Sequence, residues 1–139
     1  MFVSTPQSRT MTELDHVRIS NLLRHPSGRA SAGEAAIDDV IDGAELVSSY
    51  DVPPHVVTMY SQVLIADSQT GEQRKLTLCY PHDAEPATGF VSVLSPVGAA
   101  LLGLSVGQTA RWASPQGEPA SAEILNLLFQ PEESGDYLL

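Results

Sequence analysis

Residues 90–109 read FVSVLSPVGAALLGLSVGQT, and their polar and apolar positions change period within twenty residues. Phe90, Val91 and Val93 have the apolar, β-branched character of a buried strand. Ser95 is placed to cap a helix, and Pro96 stands at the first helical position, where its missing N–H costs nothing. Val97, Ala99, Ala100, Leu101 and Leu102 then make one or two compact turns, small on one side and bulky on the other. Gly103 stops the helix, and Ser105-Val106-Gly107-Gln108 turns the chain toward a strand at 109–113. A helix this apolar cannot stand in water, so it is expected to plug one face of a β-sheet.

Upstream, residues 1–11 are polar and Pro-interrupted, which predicts a loose or partner-held extension. Thr12 is a plausible N-cap with Asp15 at the third helical position, and Leu14, Val17, Ile19, Leu22 and Leu23 predict an amphipathic helix to Arg24. His25-Pro26-Ser27-Gly28 breaks it, because proline disfavours helical backbone in the residue before it. Ile37, Val40, Ile41, Ala44 and Val47 then predict a second helix from Ser31 or Gly33 to Ser49, with Glu34, Asp38, Asp39, Asp42 and Glu45 as its acidic face. Two apolar stripes joined by a short loop read as an antiparallel, coiled-coil-like helical hairpin, an arm roughly 20–25 Å long.

Pro53-Pro54 cannot continue a helix and marks a boundary between an arm, residues 1–50, and a β-rich domain, residues 51–139. Strands are predicted at 56–65 and 75–80, the latter with Leu76, Leu78 and Tyr80 on one face. An acidic connection at 81–89, the central unit, a turn at 115–119 and a strand at 120–130 follow. Ile124, Leu125, Leu127, Leu128 and Phe129 are almost continuously apolar, which predicts burial on both faces of that last strand. The fold class is α+β: a short helical hairpin, then an antiparallel β-sheet domain with one short helix.

Length and charge narrow the function. A chain of 139 residues with 42% hydrophobic content buries one modest core. Seven basic against seventeen acidic residues give a formal charge of −10, which disfavours direct duplex binding but suits docking on a basic protein. Cys79 is the single cysteine, so no intramolecular disulfide forms and a reducing compartment fits. No apolar run approaches a membrane span, and residues 1–11 lack the apolar region of a signal peptide. A cytoplasmic monomer is expected.

Candidate chemistry is sparse. His16, His25, His55 and His82 have no partner at metal-ligand spacing, and Cys79 lies among apolar residues as a buried structural thiol would. Asp38, Asp39 and Asp42 form a carboxylate cluster on a helix face that no turn makes converge. There is no nucleophile elbow, phosphate loop or dinucleotide fingerprint. No metal and no cofactor are expected.

The central unit, with Val56-Val57-Thr58-Met59, Gly71-Glu72, Leu78-Cys79-Tyr80-Pro81 and the ending from Gln130-Pro131 to Leu138-Leu139, resembles the C-terminal domain of the bacterial Gre transcript-cleavage factors. The run from Pro96-Val97-Gly98 to Leu102-Gly103-Leu104 is similar to the form found in the Rnk family. The resemblance covers residues 52–139 and implies an FKBP-like domain that docks on RNA polymerase near its secondary channel. It implies contact through Leu94, Ser95, Pro96, Val97 and Gly98, with Leu94 standing where cleavage factors usually carry Asn or Asp. Cleavage factors hold a catalytic magnesium with acids at the tip of a long coiled coil. The tip expected here, His25, Pro26, Ser27, Gly28 and Arg29, has no carboxylate, and Arg29 repels a divalent cation. The resemblance therefore implies a non-enzymatic regulator that competes with cleavage factors. Alternatives from other classes are a prolyl isomerase, although fold does not transmit activity, and an adaptor for another basic partner.

Overall fold

A computed structural model describes residues 9–23, 37, 40–114 and 116–135. The fold is mixed α+β. Strand β1 (Thr10–Thr12) leads into helix α1 (Glu13–Leu23), and strand β2 (Glu45–Val47) pairs with β1 in parallel. The main sheet contains β3 (Gln62–Asp67), β4 (Gln73–Cys79), β5 (Phe90–Ser92), β6 (Thr109–Ala113) and β7 (Pro119–Phe129), in the order β5-β4-β3-β7-β6. Helix α2 (Pro96–Leu101) connects β5 to β6.

The core lies on one face of this sheet. Val63 and Ile65 of β3, Leu76 and Leu78 of β4, Val91 of β5, Ala110 of β6 and Ala122 and Ile124 of β7 all point into it. They alternate with polar or half-exposed residues, as a sheet covered on one side requires. Ala99, Ala100, Leu101, Leu102 and Leu104 close the core from above, each at most 5% exposed. The expected plug is thus present. Tyr80 joins Leu76 and Leu78 in the core, also as expected.

Several expectations need correction. The sheet is not wholly antiparallel, because β4 and β5 run parallel, joined by two short 3₁₀ turns at Pro81–Asp83 and Pro86–Thr88. The first body strand begins at Gln62 rather than at 56: Val56 makes only an isolated bridge to Ser105, and a turn at Met59-Tyr60, with Tyr60 in the left-handed region at φ 64°, precedes the strand. The last strand is not buried on both faces: Leu128 and Phe129 are each 40% exposed, because bulges shift its register against β3.

The N-terminal part departs furthest. Residues 9–12 are no loose extension, since Thr10–Thr12 form β1. Residue 37 and residues 40–43 are helical, but the helix does not run to Ser49, because Glu45–Val47 leave it to pair with β1. Within α1, Ile19 is fully buried while Val17 is 54% exposed, so Val17 does not belong to the buried stripe. Asp15 takes an inward position instead, at 2% exposure. The expected tip, residues 25–29, lies outside the described residues, as do Asp38, Asp39 and residues 136–139.

Candidate functional site: the Ser95-Pro96 corner

Between β5 and α2 the chain turns a corner held by its own hydroxyls. Ser95 Oγ donates to the Ser92 carbonyl at 2.6 Å and accepts from the Gly98 N–H at 3.2 Å. Ser92 Oγ accepts from the Leu94 N–H at 3.0 Å, and the Ser95 carbonyl takes the Ala99 N–H at 2.9 Å, opening the helix. Ser95 is therefore the N-cap, and Pro96 occupies the first helical turn. A Cβ at Gly98 would collide with the Ser92 carbonyl oxygen, so the helix start can approach the strand this closely only with glycine there.

The structure brings all five sequence-predicted residues into one corner with unequal surfaces. Pro96 is exposed, Leu94, Ser95 and Val97 are half-buried, and Gly98 is buried. The Ser95 hydroxyl has its proton and an acceptor site committed inside the chain. What the corner offers outward is chiefly Pro96, flanked by Leu94 and Val97, which pack their inner sides against the core.

Sequence reasoning missed what holds the far end of α2. A six-residue helix leaves its last carbonyls without intrahelical partners. The Gly98 and Leu101 carbonyls accept from the Leu102 and Leu104 N–H groups at 3.2 and 3.1 Å. The remaining three go to one side chain: Arg9 Nη1 donates to the carbonyls of Ala99, Ala100 and Leu102 at 3.1, 3.1 and 2.8 Å. Burial lowers the Arg9 pKa from its ordinary value, yet a guanidinium keeps its charge. The Thr10 N–H donates to the Gly103 carbonyl at 3.0 Å, and a Cβ on Gly103 would stand 3.0 Å from the Thr10 oxygen. An arginine in a polar N-terminal stretch carries no local signal of such a role.

A second buried polar cluster ties α1 to the body. Thr12 Oγ1 accepts from the Asp15 N–H at 3.1 Å, the cap expected from the sequence. Asp15 Oδ2 accepts from the Met59 N–H at 3.2 Å. Beside it Thr58 Oγ1 donates to Glu132 Oε1 at 2.6 Å and meets Ser61 Oγ at 3.0 Å. Burial first, and then the Glu132 charge, push the Asp15 carboxyl up to about 6, against the opposing pull of the Met59 N–H, Thr12 and Arg18. Tyr60 donates to Asp83 Oδ2, and burial with that bond pushes its hydroxyl up to about 12.

The other candidates are dispersed. Cys79 is buried, donates to the Val91 carbonyl at 3.4 Å and has its thiol pKa raised by burial. His82 lies 3.3 Å from Asp83 at the surface, while His55 is exposed and Asp42 sits on an exposed helical turn. Among the described residues no three His, Cys, Asp or Glu side chains converge as a metal site, and no helix is long and apolar enough to cross a membrane. Trp112 packs against the core from β6.

Comparison with known proteins places this geometry. Residues 52–128 match the C-terminal family of the transcription elongation factors GreA/GreB. Over 129 residues the chain is 40% identical to the regulator of nucleoside diphosphate kinase of Escherichia coli (strain K12), covering 93% of this chain and 95% of that protein. It is 28% identical to transcription elongation factor GreA of Thermosipho africanus, covering 68% of this chain and 59% of that factor. A solved prokaryotic transcription elongation factor GreA/GreB from Nitrosomonas europaea superposes with a TM-score of 0.73 at 34% identity, covering 88% of this chain and all of that one. The strand-corner-helix unit lies inside the matched segment, and the chain belongs to the GreA/GreB transcription elongation factor family.

Proposed function

We propose that this chain is a non-enzymatic transcription regulator that docks on RNA polymerase near its secondary channel and competes there with transcript-cleavage factors without stimulating cleavage. The observation that carries the reading is the corner itself. Pro96 is exposed at a turn whose backbone is immobilised by Ser95 and by the close approach of Gly98 to Ser92. An apolar edge fixed before binding loses little conformational entropy when a partner covers it. Leu94, Pro96 and Val97 make the contact, while Ser95 and Gly98 shape it from within.

The sequence of the arm speaks against cleavage. Residues 25–29 hold no carboxylate, and Arg29 brings a positive charge where a cleavage factor presents acids to magnesium. In this reading residues 1–50 act as the arm and residues 51–139 as the docking body, and the chain works as a monomer without metal or cofactor. The strongly acidic surface suits a nucleic-acid-binding partner, which is itself basic.

Competition binding on purified core polymerase tests the proposal. The wild-type chain should displace a labelled cleavage factor and leave transcript cleavage unstimulated. Pro96→Ala and Ser95→Glu should weaken displacement, the second more severely because it also removes the cap. Equal displacement by wild type and both variants would remove the corner from the interface.

A further inference from the structure

We propose that Arg9 is a positioning residue that makes the arm and the docking corner one mechanical unit. Four consecutive residues carry the connection. Arg9 gathers three carbonyls at the end of α2. Its own carbonyl accepts the Glu45 N–H of β2 at 2.9 Å. Thr10 bonds the Gly103 carbonyl and pairs with Glu45, Met11 pairs with Leu46, and Thr12 caps α1. The end of the helix that starts at Pro96 is thus continuous with both chain segments that leave for the arm. A tilt of α2 displaces β1 and with it the root of α1, because the parallel pair β1–β2 and the Gly103 turn have no slack: a single methyl at Gly103 would already crowd the Thr10 backbone.

The chemistry is specific. All three carbonyls meet Nη1, whose two protons are shared among them, so the clamp needs a charged donor at one point rather than the two-pronged geometry that makes arginine irreplaceable elsewhere. An ammonium has three protons at one point and satisfies the same set, whereas a thioether satisfies none. Lysine should therefore replace Arg9 in function, and methionine, of similar bulk, should not. The polymerase part of this inference rests on the docking reading above; the coupling itself does not.

The test has two arms, both on the full-length chain. Native-state hydrogen exchange on the wild type follows the N–H groups of Thr10, Glu45, Leu102 and Gly103. They should open together as one unit, and exchange of β1 and β2 independently of α2 would overturn the coupling even if no variant folded. In the second arm, spin labels at Asp42→Cys and Gln116→Cys, both exposed positions, report the arm-to-body distance distribution. Arg9→Met should broaden the distribution and weaken binding to core polymerase about tenfold. Arg9→Lys should keep wild-type width and wild-type binding. A folded Arg9→Met protein with unchanged width would overturn the proposal. Broadening with unchanged polymerase binding would confine Arg9 to arm geometry and overturn its part in docking. A wild-type chain that shows coupled exchange but no polymerase binding would instead sink the docking reading and leave the coupling standing.

Discussion

Asp15 is a helix-start carboxylate that folding carries out of water, at 2% exposure. Its position three residues after Thr12 marks a helix start, and the Thr12 cap is present. Yet the carboxyl is buried beside Glu132, with Arg18 and the Tyr80 hydroxyl as the other titratable groups near it, and its pKa rises from an ordinary 3.8 to about 6. A raised carboxyl pKa means the folded chain holds this proton more tightly than the unfolded one. The contribution of Asp15 is therefore most favourable below pH 4 and is lost as pH rises through 6, by about 3 kcal/mol from the linkage relation. Asp67 opposes it at low pH, because N–H bonds from Thr70 and Gln69 lower its pKa. Asp15→Asn keeps an acceptor for the Met59 N–H and removes the charge. It should raise the melting temperature at pH 7–8 and flatten the pH dependence between 4 and 7, measured by thermal denaturation across pH. Ser95→Ala is the contrasting case. It should cost about 1 kcal/mol as a lost cap, with chemical denaturation as the measurement.

At the scale of elements, local rules worked where an element is specified by its own residues. Strand β6 was predicted with its observed bounds, and α2 begins with the expected cap and proline. They failed where pairing decides. Residues 44–47 continue a helical stripe, but Thr10–Thr12 offer backbone partners, and Glu45–Val47 become β2 instead. Residues 53–61 have little regular structure and are positioned by others: Gln130 Nε2 donates to the carbonyls of Pro53 and Val56 at 2.9 and 2.8 Å. Gln130→Leu should cost roughly 1–3 kcal/mol, since the buried Val56 carbonyl loses its donor while the Pro53 carbonyl keeps the Val56 N–H. Gly98→Ala should cost about 1–3 kcal/mol, because the methyl must push α2 away from Ser92. Urea unfolding of the two variants beside wild type checks both values. Unchanged stability in Gly98→Ala would mean the corner can relax, contrary to the rigidity on which the docking reading depends.

At the scale of the whole molecule, charge and attachment matter most. A chain of formal charge −10 docking on a basic surface should associate faster at low ionic strength. Affinity for core polymerase is expected to fall as salt is raised from about 50 to 200 mM, while binding to duplex DNA stays absent throughout; titration with labelled polymerase and labelled DNA measures both. The boundary expected at Pro53-Pro54 falls after β2, among the turns that lead to β3. Mechanically it is bridged, since Arg9, Thr10 and Asp15 bond across it to residues 99–103 and Met59.

The sequence alone determined the strand-corner-helix unit, the alternation that puts Leu76, Leu78 and Tyr80 on one face, and the family. Each of these depends on residues within a turn or two of one another, where caps, proline geometry and periodicity act. It could not show that Arg9 closes a helix ninety residues away, that Asp15 sits between a turn and a C-terminal glutamate, or that the second arm helix yields to a strand. Those outcomes rest on donors, acceptors and charges meeting only after the chain has folded. A polar residue reads the same from its neighbours whether its partner is water or a distant carbonyl, and tertiary structure alone decides which.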